Sequence, residues 1–513
     1  MSFRIRHTNR IVIWLCIILL PPLGMILLWM RRDSRLITKL LQTLAVIVLG
    51  ILHLFLFWGL RLEMGGGMTR PFFSFKDPRK HHEEIEKLRE AEQSIDASEM
   101  RAAPPEIALQ PSPSDTTDSE PVSDPSVFDA YWSEYRGPGR TGIYTETDIV
   151  TDWPADGLPL LWKRPVGAGY SSVVAADNTV FTIEQRRQKE VVAAYDLESG
   201  GEKWIHGWDA HFQETLGGDG PRATPTWHEG QLYVLGATGE FRCLDARSGS
   251  LIWSCNILDD NRAQNLKWGM AASPLIVDDK VIVLPGGSDG KSVVAYNRLT
   301  GDPVWKALDD KAAYTSPQLA TLAGKRQILV VSASRFMGLS VEDGSLLWEY
   351  PWITYQGICA AQPIVMAPNR VFLSAGYDQG AVLLEISSEG DVYNARPVWL
   401  SNRMKNRFSS SIMAKGYIYG FDESIFACID AATGERKWKG GRYGYGQVLF
   451  ASDHLIISTE TGEVVLVKAT PEKHNEIARF PAIEGKTWNV PAIVNGKLIV
   501  RNRGEMACFL IGI

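Results

Sequence analysis

A chain of 513 residues with 45% hydrophobic content can bury a large core. Its formal net charge of -6, with 22% charged residues, offers no basic surface for a phosphate backbone, so no nucleic-acid partner is expected. Six cysteines, none in a Cys-x-x-Cys-His run, exclude a covalently attached haem.

The first 62 residues belong to a different solvent class from the rest. Residues 11–30 and 36–60 are almost wholly apolar, and each run is long enough to cross a hydrocarbon core of roughly 30 Å as a helix. No small-residue cleavage site follows either run, which predicts a retained α-helical membrane anchor rather than a cleaved leader. Pro21 and Pro22 remove a helical hydrogen bond in the first run, so that segment is expected to be kinked or re-entrant, and the second run is the clearer span. Arg31, Arg32, Arg35 and Lys39 crowd the connection between them. They favour a cytoplasmic connection and an extracytoplasmic remainder, on the periplasmic side of an inner membrane, although Arg61, Arg70, Lys76, Arg79 and Lys80 oppose that bias.

Residues 63–126 read as a tether. "DPRKHHEEIEKLREAEQSI" predicts a short solvated helix, and the Pro-, Ser- and acid-rich stretch from about residue 101 to 126 has too few apolar side chains to fold, which predicts a disordered spacer.

Residues 127–513 repeat. "YDLESGGEKW", "LDARSGSLIW", "YNRLTGDPVW", "LSVEDGSLLW" and "IDAATGERKW" end at Trp204, Trp253, Trp305, Trp348 and Trp438. Weaker copies stand at Trp162, Trp399 and Phe480, giving eight positions about 40 to 50 residues apart. A β-rich period of this length predicts an all-β, eight-bladed β-propeller with four strands per blade. Gly supplies a positive φ at each turn, the Asp and Ser or Thr side chains bond the turn backbone, and the Trp packs between blades. Residues that recur in every blade are therefore scaffold. The chain enters with one outer strand, "LPLLWKRPV", and leaves with three, so pairing of the N- and C-terminal strands is expected to close the ring.

The Asp-x-x-Thr-Gly-x-x-x-Trp pattern resembles the pyrroloquinoline-quinone-like (PQQ-like) repeat shared by quinoprotein alcohol dehydrogenases and the propeller lipoprotein of outer-membrane-protein assembly. "YWSEYRGPGRTGIY" and "FSSSIMAKGYIYGFDESIFACIDAATGERKW" are similar to membrane-anchored propellers of planctomycete-type bacteria. The dehydrogenase resemblance implies an adjacent Cys-Cys disulfide over the quinone, a Trp floor, and Ca²⁺ held by Glu, Asn and Asp with an Asp base. No two cysteines are adjacent here, and no local motif places the calcium ligands. Cys243, Cys428 and Cys508 share one repeat position, held by Ala194 and Ala295 in other blades, which reads as small packed residues. Cys243 and Cys255 lie on neighbouring strands and are the one pair placed for a disulfide. "GPGRTG", residues 137–142, matches G-x-G-x-x-G formally but lacks a strand before it and a helix after it, so a nucleotide loop is not expected.

A ligand site, if present, belongs at the channel mouth just before each first strand. Ser172, Thr224, Ser273, Ser316, Gln362, Ser410 and Asn489 form a polar ring there, and nearby loops add Asp219, Arg222, Asn265, Lys267, Trp268, Lys405, Asn406 and Arg407. Such a mouth suits a planar, anionic ligand; the ordinary alternative is the hydrated channel of any propeller. The reading that follows is a membrane-tethered scaffold for a protein or envelope component, without catalysis or cofactor, using Trp208, Phe212, Trp352 and Tyr355 as exposed anchors. The alternatives are a PQQ- and Ca²⁺-dependent dehydrogenase and a non-catalytic small-ligand binder.

Overall fold

The computed structural model describes residues 36–57, 61–65, 71–74, 78–102, 131–214 and 217–513. The first apolar run, residues 11–30, and nearly all of the expected spacer lie outside these.

Two units divide the chain. In the first, helix α1 (Leu36–Phe57) has 22 residues, of which only Thr38, Lys39, Gln42, Thr43 and His53 are polar. Its Leu36–Leu54 stretch, mean hydropathy 1.9, is long and apolar enough to cross a membrane. A short hairpin, Arg61–Met64 with Pro71–Ser74, follows it and was not legible in the sequence. Helix α2 (Pro78–Ala102) has 25 residues and belongs to the second unit from Glu84 onward.

The second unit carries eight four-stranded antiparallel sheets. Blades 1 to 7 occupy residues 174–209, 226–256, 275–307, 318–351, 364–401, 412–439 and 447–481. Blade 8 joins three C-terminal strands (Ala492–Val494, Lys497–Arg501 and Glu505–Leu510) to Leu160–Pro165 from the propeller's beginning, as the strand count predicts. Inner strands are buried on both faces, as in Thr179–Arg186, whereas outer strands such as Leu251–Asn256 expose every residue but Trp253 fully or partly. A blade therefore buries its faces against its neighbours, and the core lies between blades: Tyr233, Leu235 and Phe241 of blade 2 pack on Val281, Val283 and Val294 of blade 3.

The repeated turn and Trp are the two halves of one inter-blade joint. The indole N–H of Trp399 in blade 5 donates to the Ala431 carbonyl of blade 6 at 3.2 Å, and Trp438 does the same to Thr470 of blade 7 at 2.8 Å. Gly434 lies flat on the Trp399 ring: it holds φ +71°, and a Cβ there would come within 2.7 Å of the ring. Asp430 Oδ1 accepts from the backbone N–H groups of Ala432 and Thr433, fixing that turn. Opposite each Trp only a small side chain fits in blades 1, 2, 3 and 6. Cys243 pairs with Trp253 and Cys428 with Trp438, just as Ala194 pairs with Trp204.

The cross-strand disulfide that Cys243 and Cys255 could have formed is absent. Cys255 is in register with Phe241, not Cys243, and both thiols are free. Burial pushes each up to about 12, so neither is a reactive thiolate near neutral pH. The anchor reading is corrected: Trp208 and Trp352 are buried in the blade cores and Phe212 is half-buried, leaving only Tyr355 exposed.

The segment 131–144, "YWSEYRGPGRTGIY", fills the channel. Its backbone bonds the first strands of blades 1, 2 and 7 through Trp132 to Ala175, Ser133 to Trp227, and Tyr144 to Phe450. Arg140, 2% exposed, donates to the carbonyls of Ser273 (3.2 Å), Pro274 (2.5 Å) and Pro317 (2.7 Å) of blades 3 and 4, while its Nε pairs with Glu134 at 3.0 Å. Arg136 reaches the Ser411 carbonyl of blade 6, and Gln318 of blade 4 donates to Gly139. First strands border the axis, so one short segment that bonds those of blades 1, 2, 3, 4, 6 and 7 must stand in the central channel. The G-x-G-x-x-G match is thus a channel plug.

Candidate functional site at the channel mouth

Above the plug the mouth holds a cavity of about 470 Å³ with Tyr135 of the plug segment in its wall. Most of its other walls come from segments that connect one blade's outer strand to the next blade's first strand, with Tyr377 of blade 5, Gln447 of blade 7 and Gly65 completing the lining. The lining is mainly aromatic. Tyr170 stacks on Trp488 with centroids 5.1 Å apart, Trp488 meets Phe408 at 4.8 Å, Trp268 meets Tyr314 at 5.8 Å, and Tyr355 meets Tyr377 at 5.5 Å.

Four cations lie over rings at the mouth, Lys267 on Trp268 among them. The Arg222 guanidinium is 4.5 Å from Phe212 and 5.7 Å from Tyr170, Arg407 is 4.2 Å from Tyr377, and Lys486 is 4.3 Å from Trp488. Arg222 precedes blade 2 and Arg407 precedes blade 6, so the eightfold ring sets them on opposite sides of the axis. Arg222 is held by the carbonyls of Gly218 and Gly220, and burial pushes its pKa down to about 10. A guanidinium so depressed gains from an anion. Arg407 is held from behind by Glu423 at 3.0 Å.

Of the fifteen residues the sequence placed at the mouth, Arg222, Trp268, Ser316 and Arg407 line the cavity. The polar ring has a different task. The backbone N–H of Ser172 donates to Thr224 Oγ1 (3.0 Å), that of Thr224 to Ser273 Oγ (3.0 Å), that of Ser273 to Ser316 Oγ (2.9 Å), and that of Gln362 to Ser410 Oγ (2.9 Å). Asn489 donates to the Ser171 carbonyl at 2.8 Å. These side chains staple each blade to the next and are buried. Asn265 is likewise committed to the Ala237 carbonyl at 3.0 Å, Asn406 to Phe421 at 3.0 Å, and Asp219 faces Arg503 at 3.9 Å. Lys405 pairs with Asp422 at 3.5 Å, and Lys267 lies over Trp268 at 4.7 Å.

Sequence reasoning missed the aromatic wall of Tyr135, Tyr170, Tyr314, Tyr377, Phe408 and Trp488. A signal existed for part of it: Tyr170, Tyr314 and Phe408 each stand two residues before a staple hydroxyl, in "YSS", "YTS" and "FSS".

The residues do not fit a calcium–quinone centre. Calcium takes six to eight oxygen ligands, and no carboxylate lines the cavity. Among the described residues no group of three or more His, Cys, Asp or Glu side chains converges for a metal. Carboxylates behind the lining are already bonded to it, Glu423 to Arg407, Glu460 to the Trp488 indole N–H at 2.9 Å and Glu214 to the Gly217 backbone N–H.

Residues 187–440 match the family model described as outer membrane protein assembly factor BamB. The propeller is of the PQQ-like repeat type. Among solved structures this PQQ-like propeller is similar to BamB from Moraxella catarrhalis, with TM-score 0.50 and 15% identity over 69% of this chain and 97% of that one. It is also similar to the computationally designed Ika8 protein (TM-score 0.49, 10% identity, 69% and 100% covered). Quinohemoprotein alcohol dehydrogenase from Comamonas testosteroni follows with TM-score 0.44 and 14% identity over 74% and 80%. At these identities the likeness is one of fold. No curated protein matches the chain.

Glu190, on the third strand of blade 1, adds a pH dependence. Its Oε1 accepts from the Ala237 N–H at 2.9 Å, and burial lifts its carboxyl to about 7. Its folded pKa lies above the unfolded value, so the native state binds the proton more tightly. Stability is then full below about pH 4.5 and falls as pH rises through 7, by an amount on the order of 3 kcal/mol. Glu190→Gln is expected to flatten this fall, which urea midpoints measured at pH 5 and pH 8 for both proteins would read.

Proposed function

We propose that the protein is a membrane-tethered, extracytoplasmic binding module that captures, without chemistry, a protein or cell-envelope component bearing a flat anionic group. One observation carries this reading: a plugged, aromatic-walled cavity with guanidinium groups on opposite sides and no carboxylate in its lining. Flat π-systems stack on such walls, and carboxylates meet the two arginines. The apolar helix Leu36–Leu54 and the fold shared with an assembly factor support a tether and a protein partner, by analogy. No cofactor belongs to this reading.

Pyrroloquinoline quinone, a flat polycarboxylate, is a probe for both this reading and the dehydrogenase alternative. Calorimetric titration of the full chain in detergent, with Ca²⁺ and with EDTA, is paired with a dye-linked alcohol oxidation assay. The binding module predicts calcium-independent binding without turnover, weakened about tenfold or more by Arg222→Ala or Arg407→Ala through loss of a charge-assisted contact. Calcium-dependent binding with turnover would establish the dehydrogenase instead, and no binding at all would leave the cavity without the proposed role.

A further inference from the structure

The seam between blade 1 and blade 8, the blade in which N- and C-terminal strands pair to close the ring, is rich in buried charge. Glu184, Arg186 and Arg164 are all 5% exposed or less, and Arg501 is 2% exposed. Arg186 bridges Glu184 at 3.0 Å and Glu202 at 2.7 Å, and Tyr195 donates to Glu184 at 2.6 Å. Arg501 of blade 8 crosses to the Gly167 carbonyl at 3.1 Å. Burial makes this network costly unless every charge has a partner.

Part of that partnership comes from outside the propeller strands. Arg89 of α2 pairs with Glu202 at 3.2 Å, and Glu92 pairs with Arg164 at 3.2 Å while accepting from the Glu202 backbone N–H at 3.1 Å. Arg164 lies on the outer strand of blade 8 and Glu202 on the outer strand of blade 1. Ile85 is 1% exposed. Positions 85, 89 and 92 fall on one helical face, so the contact is a register of that face and not a scatter of surface ion pairs. The solvated helix expected from the sequence is in fact docked from about residue 85 to 92.

We propose that the blade 8–blade 1 seam is a helix-docking surface whose occupant is this chain's own α2, and that this segment straps the ring-closing strand Leu160–Pro165 of blade 8 to the outer strand of blade 1. A helix offering Arg and Glu three residues apart fits the Glu202 and Arg164 pair, one on each side of the seam. The propeller's closure is then coupled to its own tether. The ion pairs are half-exposed on the helix side, Arg89 30% and Glu92 26%, against Glu202 and Arg164 at 2% and 5%, so raised salt is expected to weaken the strap before it affects the propeller core.

Hydrogen exchange on the full chain in detergent tests this, comparing the wild type with Arg89→Glu/Glu92→Arg. Both changes are on half-exposed helix positions, so the propeller is expected to fold in the variant, and native blade 4 amides (Lys325–Val331) provide the internal check. The expected result is protection of residues 84–94 in the wild type, lost about tenfold or more in the variant. Faster exchange in the two seam strands, Leu160–Pro165 and Glu202–Asp209, should accompany it. Raising the salt concentration should reproduce the loss in the wild type. Equal exchange of residues 84–94 in both proteins would overturn the docking, and helix release that leaves the seam strands unchanged would overturn the strap.

Discussion

Replacing Arg140 by alanine is expected to shift the urea unfolding midpoint more than any single change at the mouth, with a loss of about 3 to 5 kcal/mol. The guanidinium is buried, and its donors satisfy three carbonyls from two blades as well as Glu134. Truncation leaves those carbonyls and one carboxylate without their partner inside the channel, and buried groups left unmade carry the full desolvation penalty. Arg140→Lys keeps the charge but presents one compact ammonium in place of a planar fork, so it should recover only part of the loss. Unfolding is followed by near-ultraviolet circular dichroism in detergent. A shift within about 0.5 kcal/mol, the range of an ordinary surface substitution, would show that the plug is dispensable to the ring.

Trp399→Ala carries the second large effect, about 3 kcal/mol, the lower end for an aromatic truncated in a core, because its ring is half-buried and packs against the blade 5–blade 6 core. The ring is the surface on which Gly434 of the next blade rests, and its N–H satisfies the Ala431 carbonyl at 3.2 Å. Both halves of the blade 5–blade 6 joint are lost together. Trp399→Phe retains the ring surface and drops only the hydrogen bond, so its cost is expected to be nearer 1 kcal/mol. Phe480 is the natural precedent: it receives Gly157 in the same way without an indole N–H. If the alanine and phenylalanine variants unfold at the same midpoint, ring packing is not what holds the joint.

These joints were legible in the sequence because they repeat. A turn that needs positive φ restricts its residue to Gly, and a ring under that Gly must be flat, so "IDAATGERKW" states the local geometry on its own. The number of blades and the pairing that closes blade 8 followed from counting the same signal. The strap was half legible: the charges of α2 indicated a helix, but nothing local says that Arg89 will meet Glu202, more than a hundred residues away in sequence.

The candidate site shows where local reading ends. Thr224, Ser273, Ser316 and Ser410 were expected as a polar ring at the mouth, yet the backbone N–H groups their hydroxyls accept from belong to neighbouring blades, which turns a ring of hydroxyls into staples. The plug could not be foreseen from "GPGRTG", since its partners are carbonyls spread over the ring. By itself, then, the sequence determined the repeat, the turn chemistry, the apolar helix and the mouth as a place, because each rests on short-range sterics or on solvent class. Only the tertiary structure decided which polar groups at that mouth are already paired and which cations face across it, because eightfold closure brings together residues that no local spacing relates.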